Sequence, residues 1–278
     1  MGHIGPMSDT GFLTRLSHRA VIHITGPDAR DFLQRVVTNG PQGVAPGKAV
    51  GSALLTPQGK VLADLIFLDD GADGLFVDVP LSEAESLLKR FTLYRLRAKA
   101  ELALRPDLAV AAASGEAELR GEALMMAPDP RASALGIRAI MPVMAAVPDA
   151  PESYNRARCR ACVAEMPLDY APAEVFSTDV NHDLLHMIDY RKGCFVGQEV
   201  ASRMHRKGGV RKRTARVSGA LAFSPALVVM AGDTPVGEVL SGMQGEGLAV
   251  VRVDRLEAAS QPVMVDGKPV AVGLPGSA

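Results

Sequence analysis

At 278 residues with 47% hydrophobic content, the chain can bury a sizeable core, enough for one large domain with a small one or for two of similar size. A net charge of -1 gives no global pull toward nucleic acid. No apolar run approaches the roughly 18 residues that a membrane helix needs, which excludes a helical span.

Val21-Ile22-His23-Ile24 alternates as a short strand, and Gly26-Pro27 opens a helix whose Phe32, Leu33, Val36 and Val37 form one apolar face, closed by Asn39-Gly40. Ser52 to Leu55 and Val61 to Leu68 read as strands joined by the Pro57-Gln58-Gly59 turn, with Leu75 to Val79 as a third antiparallel neighbour. Ser82 with Glu85 has the spacing of a capping box ahead of Leu87, Leu88, Phe91 and Tyr94. Lys99 to Leu104 and Leu108 to Ala113 return to strand, and the region from Ala127 to Pro151 is rich in Pro, Ala and Asp around one apolar run, Ile137 to Val143. Tyr154 to Val163 predicts a helix, Pro167 to Thr178 an irregular loop, and Gln198 to Lys207 a second helix ending at Gly208-Gly209. Beyond Arg213 short strands alternate with Gly and Pro turns, and Asp266-Gly267 marks a hairpin between Val263 and Val270. The order of elements is α+β, not alternating βαβ, with a small all-β domain at the C-terminus.

The segment from 191 to 216 carries nine Lys or Arg against the single Glu199, so positive charge is local and marks a site. Cys194 lies inside it, between Gly193 and Gly197 and just before a predicted helix N-terminus. Arg191, Lys192 and the helix dipole would favour its thiolate. Composition alone favours a small buried apolar residue beside Phe195 and Val196, whereas the flanking glycines argue for exposure. Three cysteines, Cys159, Cys162 and Cys194, are too few and too oddly numbered for a secreted disulfide framework. The N-terminus shows neither a signal-peptide nor a transit-peptide pattern, so a cytoplasmic protein is the expectation; Met7 reads as a natural start and the first six residues as an extension.

Cys159-Arg160-Ala161-Cys162 has C-x-x-C spacing but no second pair, so a structural role is the better reading. On paper the pair with Cys194 could supply three ligands to an iron cluster. His182, His186 and His205 match no zinc spacing, and exposed loop histidines are the default for most of them. Asp64 interrupts the apolar run Val61 to Phe67, where an unpaired carboxylate is costly. Period two places it on one face with Leu62 and Ile66, which favours a carboxylate lining a polar interior, able to accept from the amino-pyrimidine donors of a pterin.

Lys192-Gly193-Cys194-Phe195-Val196-Gly197-Gln198-Glu199 resembles the K-G-C-F/Y-x-G-Q-E signature of the YgfZ family of folate-binding iron–sulfur assembly proteins, relatives of the glycine-cleavage T-protein. The resemblance continues through Ile24 to Ala29, Phe32 to Gln34, Thr38-Asn39, Leu55 to Phe67, Asp129 to Arg131, Arg138, Tyr154 to Arg158, Asp169-Tyr170 and the basic stretch Arg203 to Arg213. It implies a T-protein-like α+β folate-binding region over 1–213 and a C-terminal β-barrel over 214–278. It further implies assembly or repair of 4Fe-4S clusters in client enzymes, with tetrahydrofolate or a derivative bound in a central cavity and Cys194 as the essential thiol, a possible ligand of a transient iron–sulfur cluster. Carried over by position, Asp64 is the carboxylate that approaches the folate, and Asn39, Lys192, Gln198, Glu199 and Glu165 are further cofactor-binding candidates. Where relatives usually read Gly-Val-Pro-Glu, this chain has Cys162-Val163-Ala164-Glu165, so the pocket wall near Glu165 is expected to differ.

The expected partners are client enzymes, other iron–sulfur assembly proteins and folate, with no membrane. Two other functions compete. An aminomethyltransferase would share the fold, but its usual signature lacks the cysteine. An RNA-binding module would use the basic segment, but Phe195 is the only aromatic there, and single-strand binders interleave more stacking residues.

Overall fold

The computed structural model describes residues 11–115, 119, 121–206 and 210–276. The expectations placed on Met7, Lys207 and Gly208-Gly209 lie outside these residues. Strand β1 (Leu13–Arg15) leads into β2 (Arg19–Thr25), helix α1 (Ala29–Gln34), β3 (Val50–Leu55), β4 (Val61–Asp69), β5 (Leu75–Pro80), helix α2 (Ala84–Arg95) and β6 (Glu101–Leu104). Five of these strands form one antiparallel sheet in the order β3-β4-β5-β2-β6. A second sheet follows from β7 (Leu108–Ala113), β8 (Met125–Pro128) and β9 (Ile137–Pro142), which join β1 in the order β1-β7-β9-β8.

The near-continuous apolar run of β4 is explained by cover on both faces. Leu65 and Phe67 pack with Phe32 and Leu33 of α1 and with Leu87 and Phe91 of α2. Ile66 and Leu68 pack the other way, with Val110 and Ile140 of the second sheet. Asp64 shares the face of Ile66 and so points between the two sheets. Leu62 does not share that face: Leu54 pairs with Ala63 but Leu55 with Val61, and this irregularity turns Leu62 toward the helical side.

Helix α1 is shorter than the sequence implies. It stops at Gln34, and Val36 and Val37 reach the same core from the turn that follows. Gly26 is needed before it, since its φ is +104° and a Cβ there would lie 2.5 Å from the Lys99 carbonyl oxygen. The capping box at Ser82 and Glu85 is not formed. A 3-10 turn over Leu81–Glu83 intervenes, Glu83 takes the N-cap position, and no side chain caps the helix.

Helix α3 (Glu152–Arg160) sends Tyr154 into the core between the two sheets, after which the chain runs without helix or strand from 161 to 197, apart from one isolated bridge of Phe176 to Lys60. Helix α4 (Gln198–Arg206) then leads to the C-terminal unit: β10 (Lys212–Ala222), β11 (Val228–Ala231), β12 (Thr234–Arg252), α5 (Val253–Glu257), β13 (Val263–Val265), β14 (Lys268–Pro269) and β15 (Ala271–Gly273). Its sheet order is β14-β13-β11-β12-β10-β15, with a core of its own from Val217, Val229, Val236, Val239, Val251 and Val265. The Asp-Gly hairpin is present: Asp266 and Gly267 have φ of +48° and +69°, both positive as a type I′ turn requires.

Candidate functional site

Asp64 is buried, and its charge is met by Arg19 of β2. Strand register explains the meeting: Arg19 pairs with Pro80 and Val21 with Asp78, so Arg19, Asp78 and Asp64 crowd the same inner face. Arg19 donates from Nη1 to Asp64 Oδ1 at 2.9 Å and from Nε to Asp78 Oδ1 at 2.6 Å. Across the sheet interface Arg138 donates from Nε to the other oxygen of Asp78 at 2.6 Å, from Nη1 to Tyr154 Oη at 2.8 Å and from Nη2 to Glu165 Oε1 at 3.2 Å. Arg131 joins Glu165 to Asp129, and Arg158 holds Asp169 at 2.6 Å. Four arginines and five carboxylates are thus buried in one lattice.

Burial opposes ionisation of Asp78 and Glu165, yet the guanidinium groups win. Arg138 and Arg19 hold Asp78 below the usual carboxylate range, and Arg131 and Arg138 hold Glu165 well below it. Burial pushes the Tyr154 phenol up to about 12, so it stays a donor, giving its proton to Glu165 Oε1 at 2.6 Å. Glu165 also meets His18 Nε2 at 3.1 Å and has no exposed surface. The expectation of Glu165 as a cofactor-binding pocket wall is therefore corrected: its oxygens are taken up in gathering arginines. Such buried pairs add little net stability but fix geometry, because removing one partner strands the other.

Asp64 differs from Glu165 in having capacity to spare. Its Oδ2 accepts only a long bond, 3.4 Å, from the Met166 amide. Two other interior groups lie within its field, Tyr170 and His182. Neither the Tyr170 hydroxyl nor either ring nitrogen of His182 has a hydrogen-bond partner among the described residues. Leaving such groups unpaired costs about 1–3 kcal/mol each. These three side chains thus keep hydrogen-bonding capacity unspent among the described residues. His182 also corrects the default of exposed loop histidines: it has no exposed surface, whereas His186 and His205 are exposed.

Cys194 is exposed. Gly193, before it, has φ +97° with nothing near its missing side chain, while Gly197, after it, has φ +79° and would place a Cβ 2.4 Å from the Thr56 carbonyl oxygen. The first glycine turns the chain; the second lets it lie against the β3–β4 turn. Phe195 is buried between them, and the Lys192 ammonium stands 5.2 Å above its ring while donating to the Gln34 carbonyl. Burial pulls the Lys192 ammonium down to about 8. From Gln198 the chain is helical. Gln198 and Glu199 line a cleft of about 540 Å³ with Ser202, Arg203 and Arg206.

Asn39 stands elsewhere, donating from Nδ2 to the His186 carbonyl at 2.9 Å. It separates a cleft of about 330 Å³, which includes Lys48 and Asp129, from one of about 560 Å³ beside Asp189, Arg191 and the stacked rings of Tyr190 and His205. The candidate residues thus fall in three places: Asp64 and Glu165 inside, Asn39 between two clefts, and Lys192, Cys194, Gln198 and Glu199 along one surface segment. Cys159 and Cys162 are buried, and burial pushes the Cys159 thiol up to about 11 and that of Cys162 upward as well. The structure does not bring them to Cys194, and among the described residues no group of three His, Cys, Asp or Glu could hold a metal ion.

Arg19, Asp78 and His182 were not among the sequence candidates. For Asp78 the signal existed, since a charge inside Leu75-Phe76-Val77-Asp78-Val79 is the same anomaly that marked Asp64; Arg138 within Ile137 to Met141 is another.

With this geometry in view, similarity to known proteins can be placed on it. The profile of the CAF17 C-terminal β-barrel domain matches residues 211–278. The chain is 31% identical over 241 residues to an iron–sulfur cluster assembly factor IBA57 homolog of Mycosarcoma maydis, covering 78% of this chain and 60% of that one. It is 33% identical over 222 residues to its counterpart in Pyricularia oryzae, with 73% and 56% covered, and 28% identical over 292 residues to human IBA57, with 93% and 82% covered. Over most of its length the chain is similar to iron–sulfur cluster assembly factors of the IBA57 type. It spans little more than half the length of the two fungal IBA57 proteins, and the likeness is to IBA57, not specifically to YgfZ. The aminomethyltransferase-like fold is shown by the glycine cleavage system aminomethyltransferase T of Bartonella henselae, which superposes with a TM-score of 0.73 at 15% identity over 95% of this chain and 84% of that one. The cytoplasmic expectation is overturned: the IBA57 relatives of M. maydis, P. oryzae and human are named mitochondrial.

Proposed function

We propose that this protein is an accessory factor for assembly or repair of 4Fe-4S clusters in client enzymes, acting through Cys194, with tetrahydrofolate or a derivative held in the interior beside Asp64. The observation that carries the reading is the setting of Cys194: an exposed thiol on a glycine turn, next to a half-buried lysine and directly before a helix whose outer side carries Arg203 and Arg206. The names of the IBA57 relatives support the assembly role. An exposed cysteine can bind iron handed over by a donor protein, or resolve an oxidised intermediate by thiol–disulfide exchange. The neighbouring cations complement an acidic partner surface. The donor and acceptor groups around Asp64 support the folate, whose pterin edge would meet Asp64, Tyr170 and His182.

The test is complementation. Wild type and a folded Cys194→Ser variant are placed in cells lacking their own relative, and a 4Fe-4S enzyme is assayed under oxidative stress. Restoration by wild type alone supports the reading. Equal restoration by both would make Cys194 dispensable, and restoration by neither would overturn the assembly role and return attention to aminomethyl transfer.

A further inference from the structure

The end of α2 carries features that folding does not account for. Lys89, Arg90, Arg95, Arg97 and Lys99 fall within 89–99 with no acid among them. Leu93 and Leu96 are 73% and 85% exposed, the two most exposed leucines among the described residues. Leu96 caps the helix with φ +50° and ψ -109°, on the positive-φ side where a helix end usually has glycine. A leucine there keeps backbone strain and an apolar side chain in water, and a glycine would remove both. Exposed apolar residues scattered singly are ordinary, but these two stand one turn apart on a basic rim.

The rim borders a cleft of about 740 Å³. Asp28, Asp31 and Arg35 of α1 and its flanks line one side, and Leu96 and Arg97 line the other. The two sides are pinned together: the Asp28 amide donates to the Lys99 carbonyl at 3.2 Å, and the Lys99 amide donates to Asp28 Oδ2 at 2.7 Å. Arg95 braces the turn, donating from Nη1 to the Ala100 carbonyl at 2.9 Å. The cleft is therefore preformed, and binding does not have to order it. Its charges are unequally engaged. Asp31 accepts from Gln42 Nε2 at 3.1 Å and Asp28 from Lys99, which leaves one oxygen of each for further N–H donors. The guanidinium groups of Arg35, Arg90 and Arg97 have no hydrogen-bond or ion-pair partner among the described residues.

We propose that this cleft docks an acidic segment of a partner protein, in which Asp or Glu side chains flank a large apolar one. The carboxylates meet Arg35, Arg90 and Arg97, the apolar side chain packs on Leu93 and Leu96, and main-chain N–H groups of the segment donate to Asp28 and Asp31. A bilayer fits less well, since a flat surface does not enter a cleft. These residues are distinct from those beside Cys194, and the inference rests on neither the thiol nor the folate.

The probe is a displayed library of random linear peptides selected on the full chain, with the enriched peptides then titrated by fluorescence polarisation into wild type, Arg97→Glu and Leu96→Gly. Urea unfolding of each protein is measured alongside. Enriched peptides should combine Asp or Glu with Leu, Met or Phe, lose affinity as salt rises, and bind at least tenfold more weakly to both variants. Leu96→Gly should meanwhile unfold at a midpoint equal to or above that of wild type, because strain is relieved. Arg97→Glu, exposed and with no partner to lose, keeps the binding test valid if Leu96→Gly unfolds early. Enrichment of no acidic and apolar peptide, or equal binding to wild type and Arg97→Glu, overturns the inference. Flotation of wild type but not Arg97→Glu with vesicles of equal parts phosphatidylcholine and phosphatidylserine would make a bilayer the occupant. A concentration-dependent dimer that Leu96→Gly abolishes would make a second copy of the chain the occupant. Either result in place of peptide binding overturns the inference.

Discussion

Arg138 donates to Asp78, Tyr154 and Glu165 from three different nitrogens, and none of these groups has solvent to screen it. Replacing it with methionine keeps the bulk and removes the charge, leaving Asp78 to Arg19 alone. Breaking a buried pair in this way costs about 3–5 kcal/mol, so Arg138→Met should show a large drop in urea midpoint. The acids and His182 set the pH dependence in the same direction. Asp78 and Glu165 have folded values below the ordinary carboxylate range, so their contribution is present above that range and lost as pH falls through the folded values. His182 has a folded value of about 4 against an ordinary 6.5, so between those values the unfolded chain binds a proton that the folded chain refuses. Stability should therefore fall by about 3 kcal/mol as pH drops across that window. In His182→Leu that part of the slope should vanish, which unfolding at pH 7, 5.5 and 4.5 would show. At this scale the sequence marks Asp64 as interior because a charge breaks an apolar run. It does not name Arg19 as the partner, since the two are 45 residues apart and meet only through strand register.

The glycines around Cys194 make a distinction that the motif alone does not. Both have positive φ, but Gly193 has open space where a side chain would go, and Gly197 lies on the Thr56 carbonyl. Gly193→Ala should cost only backbone strain, about 1–2 kcal/mol. Gly197→Ala should cost clearly more, because α4 must lift from the β3–β4 turn, where Gly59 in turn accommodates Val200. Thermal unfolding of the two variants side by side checks the order. Cys162 shows the same rule from the other side: a residue with a side chain holds φ +53° there, in the region that favours glycine, so that turn is kept under strain. Local signals are legible when the deciding contacts are local, as in the Asp266-Gly267 hairpin. The capping box at Ser82 was not, because the 3-10 turn after Pro80 moved the helix start beyond it.

Across the whole molecule, the segment from 161 to 197 joins the two sandwiched sheets to the C-terminal barrel. Asn181 donates from Nδ2 to the Cys162 carbonyl at 3.0 Å and to the Thr214 carbonyl at 2.8 Å, and Arg213 grips Asp183 with two bonds of 2.5 and 2.8 Å. Asn181→Ala strands two buried carbonyls, at a cost of about 2 kcal/mol or more. It should speed amide exchange both in β10 and in the turn after α3, a coupled loss that a purely local role would not give. The α+β order and the all-β end could be read from periodicity. The way a segment without regular structure fastens them could not, because its bonds come from side chains whose partners lie 19 to 35 residues away.

The three thiols have a practical consequence. Cys159 and Cys162 are enclosed and weakly acidic, Cys194 is open to solvent, and the chain contains no tryptophan. A chromogenic disulfide reagent at neutral pH should therefore count one fast-reacting group in the native protein and three after denaturation. A maleimide dye would mark one known address without any engineered substitution, on a background with no indole emission. The molecule thus comes with its own optical handle at the residue whose chemistry is in question, and docking of a partner or filling of the interior could be followed from that single point.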